Sequence, residues 1–343
     1  MRHYNIPIFI NHIGCPNSCV FCNQKKINGV ETDTTPEDVL KTIEEYLSYL
    51  PKNSEKEVAF FGGTFTGLSF DLQREYLKVV SPFIKNGSIN GIRLSTRPDC
   101  IDEKILEQLK EYGVTTIELG VQSLNQNVLD LTARNYKVEV VYKSVELIKK
   151  YNIKLGIQIM LGLPGANFDT DYETAKKVIE LKPDMVRIYP SLVLSGTKME
   201  EMFLNKQYKP YSLEEAISIG VKVYSLIELN DIKIIRVGLQ PSEDLREEGI
   251  ILDGPFHPAF RDLLEGEIYS LFFEFLLKNN TVSLDILANE KNISKILGNK
   301  GVNKEKYKNI LNVKIDNNLS LDEITVNSTK YTRKYILSKV VGL

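Results

Sequence analysis

With 343 residues, 43% hydrophobic and 26% charged, the chain has room for one large α/β domain plus a small appendage, or for two medium domains. A formal net charge of −2 excludes a global basic field, and no apolar run approaches the roughly 20 residues that span a bilayer. The N-terminal MRHYNIPIFINHIG lacks a long apolar stretch and a small-residue cleavage site, so no secretory leader is expected.

The predicted elements alternate. Residues 6–10 (IPIFI) read as a strand, and 35–50 as a helix with Thr35 as N-cap and Pro36 at its first position. A strand at 57–61 and a helix at 71–84 follow, then a strand at 91–95 and a helix at 102–113 closed by Gly113. The next pairs are strand 115–120 with helix 138–152, strand 153–160 with helix 169–181, and strand 184–190 with helix 213–229. A last strand covers 232–238. The strands are short and rich in Val, Ile and Phe, as in a parallel sheet covered on both faces. About six βα units in a row mean an α/β domain, doubly wound or curled into a barrel. Periodicity does not choose between the two, but in both the active residues collect at the C-terminal ends of the strands. Residues 238–260 are polar and then Gly/Pro-punctuated, as in a linker. An apolar helix is predicted over 261–280, and LNVKIDNNLSLDEITV (311–326) reads as a hairpin turning at Asn317-Asn318.

Three of the four cysteines, Cys15, Cys19 and Cys22, stand in C-x3-C-x2-C spacing on the loop after the first strand. Four cysteines so placed are no disulfide framework and suit a reducing cytoplasm and a metal. Thiolates select zinc or iron–sulfur clusters. A zinc knuckle needs a fourth ligand, for which His12 is the nearby candidate. Three thiolates can instead hold three irons of a four-iron cluster and leave the fourth open. Gly62 and Gly63, in FFGGTFTGL at the end of the second strand, let the backbone approach a ligand. Thr96, Gln122 and Gln158 are polar residues at strand ends, which need a ligand or a hydrogen-bond partner. Arg134 suits a carboxylate clamp.

The cysteine triplet in its βα context resembles the radical S-adenosylmethionine (radical SAM) superfamily. The resemblance implies a [4Fe–4S] cluster on Cys15, Cys19 and Cys22, whose open iron binds the amino and carboxylate groups of S-adenosyl-L-methionine. Reductive cleavage then gives a 5′-deoxyadenosyl radical that abstracts hydrogen from a substrate. It also implies Phe21 beside the adenine, and Gly62, Gly63 and Thr64 at the methionine amino group; many members carry Glu where Thr64 stands. An electron donor such as flavodoxin or ferredoxin is a further implied partner.

GGTFTGL, STRPD, IELGVQS, LGLPG and the IYPSLVLSGTKMEEMF segment together resemble the radical domain of the Elongator catalytic-subunit family, which modifies the wobble uridine of transfer RNA. This likeness spans about residues 5–240. GVQS and GLPG are shared with oxygen-independent coproporphyrinogen oxidases and haem-chaperone relatives, which implies that Gln122, Arg134 and Gln158 contact S-adenosylmethionine. Two departures matter: the compact cysteine spacing, and a span after residue 240 too short for the Elongator acetyltransferase domain. Radical chemistry is therefore expected without carboxymethylation of uridine.

The expected fold is a partial (βα)6 TIM-like barrel with a small C-terminal α/β domain. Its expected divisions are a radical SAM core over 1–240, a linker over 241–257 and a small domain over 258–343. The expected function is cluster-dependent modification of an RNA of the tRNA type. A haem-binding or coproporphyrinogen-oxidase-like relative, or a radical enzyme of small molecules or peptides, is the alternative. RNA would be met by the C-terminal region, where residues 281–343 carry 11 Lys/Arg against 6 Asp/Glu and GNKGVNKEKYKN (298–309) interleaves lysines with a tyrosine. Cys100 is expected to be a structural buried thiol, and His257 a loop histidine. No catalytic residue and no membrane contact is assigned, and the compartment expected is the cytoplasm.

Overall fold

The computed structural model describes residues 2–10, 14–16, 18–23, 34–239, 247 and 249–342. His12 and most of the segment 240–248 therefore lie outside the described residues. The first unit runs from β1 (His3–Phe9) through α1 (Pro36–Tyr49) to β2 (Glu55–Phe61). The Thr35 hydroxyl accepts from the Asp38 amide while the Asp38 carboxylate accepts from the Thr35 amide, a capping box that starts α1 where the sequence places it. The chain continues through α2 (Phe70–Lys85), β3 (Gly91–Thr96), α3 (Glu103–Glu111), β4 (Val114–Gln122), α4 (Gln126–Leu131) and α5 (Val138–Lys150). Next come β5 (Lys154–Leu161), α6 (Phe168–Glu180), β6 (Met185–Pro190), the short β7 (Val193–Leu194), α7 (Lys198–Leu204), α8 (Leu213–Leu229) and β8 (Lys233–Val237).

The sheet order β1-β2-β3-β4-β5-β6-β8 keeps the order of the chain, and every pairing is parallel. A doubly wound sheet reverses direction at a switch point. This one never does, so same-handed crossovers put the helices on one face and the sheet curls into a half-barrel. The strands differ from the expectation of two apolar faces. Val58, Phe60, Ile92, Leu94, Ile117, Leu119, Ile157, Ile159, Val186 and Ile188 pack in the hydrophobic core. The alternate residues, among them Glu57, Arg93, Glu118, Gln158 and Arg187, turn inward and, Ala59 apart, include most of the polar side chains of these strands. The period of two is present in each strand, with apolar side chains under the helices and polar ones inside the barrel.

After β9 (Ile251–Asp253), which pairs antiparallel with β7, comes α9 (Phe260–Lys278). A second sheet follows: β10 (Leu284–Ala288), α10 (Glu290–Leu297), α11 (Val302–Lys306), β11 (Leu311–Ile315), β12 (Glu323–Val326), β13 (Thr329–Thr332) and α12 (Arg333–Val341). Its order is β11-β10-β12-β13. The hairpin expected over 311–326 does not form. β10 inserts between β11 and β12, pairing parallel with the first and antiparallel with the second. β10 alternates buried Leu284, Ile286 and Ala288 with exposed residues, and a central strand of this kind needs a partner on both edges. Asn318 instead donates to the Asp316 carboxylate (3.0 Å) inside a longer loop. The true hairpin joins β12 to β13 through Asn327 and Ser328, both left-handed at φ +48° and +66°. One continuous core includes Val223 of α8, Leu264 and Phe273 of α9, Ile286 of β10 and Leu337 of α12. Among the described residues, no helix is long and apolar enough to cross a membrane.

Candidate functional site

A cavity of about 630 Å³ opens at the C-terminal ends of the barrel strands. Such a volume suits a drug-sized ligand. The loop after β1 forms one side of it. Gly14 is left-handed at φ +77°, and a Cβ there would stand 2.4 Å from the Thr64 carbonyl oxygen. A Cβ on Gly67 would stand 1.9 Å from the Gly14 oxygen, so the loops after β1 and β2 mesh backbone to backbone and admit no side chain between them. Val20 ties the loop down further. Its amide donates to the Thr132 carbonyl (3.3 Å), and its carbonyl accepts from the Met199 amide (2.8 Å). Its side chain packs with Val193, Met199 and Tyr208, with Phe21 against them.

Cys15, Cys19 and Cys22 all line this cavity, and so does Phe21. Gly62, Gly63 and Thr64 line it from the end of β2, and Thr96 from the end of β3. Gln122, Arg134 and Gln158 complete the wall from β4, the loop after α4 and β5. The three cysteines and the eight residues expected around S-adenosylmethionine therefore all border one space. Cys15 Sγ lies 3.1 Å from Thr64 Oγ1. Cys19 Sγ accepts from Arg134 Nη1 at 3.1 Å and from Arg97 Nη1 at 3.5 Å. The Gln158 amide donates to Gln122 Oε1 (3.2 Å), and Gln122 sits left-handed at φ +69° where β4 slips register against β5. A non-glycine residue held in that region marks a position the surroundings over-determine. The Thr96 hydroxyl is 2.5 Å from that of Thr66, so part of its bonding capacity is already used inside the protein.

Arg134 is buried, and its guanidinium also donates to the Gly120 carbonyl and to the Tyr136 hydroxyl. Burial opposes its charge, but Tyr136 and the Cys19 sulfur outweigh burial and raise its pKa. Arg97 behaves alike: burial opposes the charge, and the Asp99 carboxylate, a bidentate acceptor at 2.8 Å and 2.8 Å, raises the pKa. Two fixed cations thus face the Cys19 sulfur. Cys100 lies apart from them in character. Burial first, and then Asp99, push its thiol up to about 11, so it stays protonated. Among the described residues, no three His, Cys, Asp or Glu side chains are close enough to share a single metal ion. Thiolates that each hold a different iron of a cluster stand farther apart than thiolates that share one ion. The soft donor set, the guanidiniums at Cys19 and the cavity beside them fit an iron–sulfur cluster with a cosubstrate.

Sequence reasoning missed Arg97, Glu118, Arg187, Tyr189 and Arg236, all of which border the same cavity. For three of them the signal was present as polar residues at alternate positions of apolar strands: Glu118 with Gln122 on β4, and Arg187 with Tyr189 on β6. His257 accepts the Ala259 amide on Nδ1 (3.1 Å) in its turn, as a loop histidine does. In the lysine-rich segment 298–309, Tyr307 is buried against Phe273 and unavailable for base stacking, and Lys306 and Lys308 pair with Glu274 and Glu305.

The chain matches the model of the Radical SAM superfamily over residues 12–178 and that of the Radical_SAM C-terminal domain over 183–270. It is 40% identical over 183 residues to a tRNA uridine(34) acetyltransferase of Methanocaldococcus jannaschii, covering 48% of this chain and 34% of that protein. An uncharacterised protein of the same organism is 30% identical over 228 residues, 63% of this chain and 69% of the relative. The chain thus spans about a third of the named acetyltransferase and about two thirds of the uncharacterised protein. Among solved structures, Elp3 of Methanocaldococcus infernus without residues 1–46 superposes with a TM-score of 0.61 at 24% identity, over 81% of this chain and 63% of that one.

Proposed function

The chain belongs to the radical SAM superfamily, and on that premise we propose that it is a radical enzyme that modifies an RNA of the tRNA type. Cys15, Cys19 and Cys22 would hold a [4Fe–4S] cluster. Phe21, Gly62, Gly63, Thr64, Thr96, Gln122, Arg134 and Gln158 would cradle S-adenosylmethionine. The observation that carries this reading is that all eleven border one cavity. When bound, the cluster and S-adenosylmethionine supply one-electron reductive cleavage and hydrogen-atom abstraction. The protein's own contribution is placement. Thr64 orients Cys15, Arg97 and Arg134 neutralise charge at Cys19, and the paired glutamines present a polar edge beside Gly120. Leu192, Leu194 and Leu239 pack together and give the cavity wall an apolar part. The RNA class is supported by the named tRNA-modifying relative and by the excess of Lys and Arg in residues 281–343. A flavodoxin- or ferredoxin-type donor would deliver the electron.

Anaerobic reconstitution tests the cofactor reading. About four irons and four sulfides per chain are expected, with 5′-deoxyadenosine formed on addition of dithionite. Bound zinc, fewer than about three irons, or full cleavage activity in Cys19→Ala would overturn it. A gel shift with total tRNA beside a haem titration tests the substrate class. Tight haem binding with no RNA affinity would replace it.

A further inference from the structure

One rung of the barrel crosses four strands. Gly120 of β4 is in register with Gln158 of β5, Gln158 with Arg187 of β6, and Arg187 with Arg236 of β8. All four border the cavity. Its first half lies among the residues assigned to S-adenosylmethionine; its second half is two arginines side by side. Both arginines border the cavity and so bring cationic donors to its wall. Arg187 is held in place from behind. Glu118 accepts from its Nε and, at 3.1 Å, from its Nη2. Glu118 is itself held by Arg93 Nη1 at 2.8 Å. That leaves Nη1 of Arg187, which donates to the Tyr189 hydroxyl at 3.4 Å. The Tyr189 hydroxyl accepts that bond, and among the described residues its own proton has no protein acceptor, so it is a further donor on the cavity wall. Leu192, Leu194 and Leu239 lie on the same cavity, and poor hydration strengthens a charge contact beside them.

We propose that Arg187 and Arg236, with Tyr189, clamp an anionic group of the substrate, a carboxylate or a phosphate, next to the S-adenosylmethionine cradle. Guanidiniums donate to either group, and with its Nε and Nη2 on Glu118 Arg187 would do so through Nη1. This rests on the radical reading for what lies on the Gln158 side of the rung, but its test does not need the cluster.

Thermal unfolding of the full chain as purified, at matched ionic strength in chloride, acetate or phosphate, reads the clamp directly. An anion at about ten times its dissociation constant should raise Tm by about 2 °C over chloride. Arg236→Gln should lose that rise, and Arg236→Lys should keep part of it. A rise with phosphate alone names a phosphate ester as the substrate class, one with acetate alone a carboxylate, and a rise with both the general anion clamp. No rise with either anion overturns the proposal. So does a rise that persists undiminished in Arg236→Gln, because the anion then sits elsewhere. Repeating the scan on reconstituted protein with S-adenosylmethionine closes the remaining route. If its stabilisation disappears in Arg236→Gln, the arginines belong to the cosubstrate and the clamp is wrong. Failure of iron loading would leave the anion result standing, so the two readings fail separately.

Discussion

Two buried ion networks of similar composition serve different ends in this molecule. Inside the barrel, Glu57 and Glu118 share Arg93 at 2.8 Å each, Glu118 also holds Arg187, and His3 closes the far end on Glu57 at 3.0 Å. Between the barrel helix α8 and the C-terminal region, Glu228 and Glu265 share Arg333 at 3.0 and 2.7 Å, and Glu265 also takes Lys295 and the Tyr224 hydroxyl. Burial alone would raise the pKa of Glu57, Glu118 and Glu265, but the guanidiniums outweigh it and hold all three below the ordinary carboxylate range. The difference lies in where each network ends. The junction ties together α8, α9, α10 and α12 beside a hollow of about 170 Å³, smaller than ligand pockets usually are. The barrel network ends on Arg187 at the wall of the 630 Å³ cavity. A buried salt bridge can therefore be mortar in one place and the backing of a binding surface in another.

The largest effect separates the two networks only partly. Glu118→Gln and Glu265→Gln should each lower unfolding free energy by roughly 3–5 kcal/mol in urea titration, because each strands buried cations. Only the Glu118 change should also abolish the anion-dependent rise in Tm, since it releases Arg187. A cost below about 1 kcal/mol for Glu265→Gln would show the junction to behave as a surface pair.

A carboxylate without a cation sharpens the contrast. Asp171 is buried, accepts the Gly162 amide (2.8 Å) and the Tyr211 hydroxyl (3.1 Å), and burial pushes its pKa up to about 7 against these bonds. A carboxyl raised on folding favours the fold below its unfolded pKa, and that contribution is lost as pH rises to about 7. The depressed glutamates run the other way: their stabilisation is present above the unfolded pKa and lost as pH falls through their folded values. Asp171→Asn should therefore remove a falling slope of up to about 1.4 kcal/mol per pH unit between pH 4 and 7, measured by denaturant titration at stepped pH. An unchanged slope would mean that Asp171 is ionised throughout.

Smaller effects are expected where one hydrogen bond is lost. Thr64→Val should cost about 1 kcal/mol and make the reconstituted cluster harder to reduce, because a donor to a ligand sulfur is gone. A redox titration that found it easier to reduce would contradict the role given to Thr64. Thr35→Ala should cost about 1 kcal/mol through its lost cap and leave iron content and anion response untouched, which calibrates the other changes.

Much of the architecture was legible in the chain. A cap such as Thr35 announces its helix through local hydrogen bonds, and these form within a few residues of sequence. The cysteine triplet was legible because metal-binding chemistry needs particular atoms at particular spacing. The C-terminal hairpin was misread because strand pairing is non-local. Asn317-Asn318 is a sound turn signal, but it cannot show that β10, a separate segment, takes both neighbouring edges.

The residues of the cavity wall divide in the same way. Composition and periodicity alone determined that the chain alternates strand and helix, that three thiols crowd one loop, and that polar residues end several strands, because each of these is a property of neighbours in sequence. Only the tertiary structure decided that the strands keep chain order and curl, that Arg187 meets Arg236, and that Glu118 backs one of them. Those facts depend on register between strands tens of residues apart. Register is set by packing the apolar face of every strand at once against the helices, so no local stretch of sequence contains it.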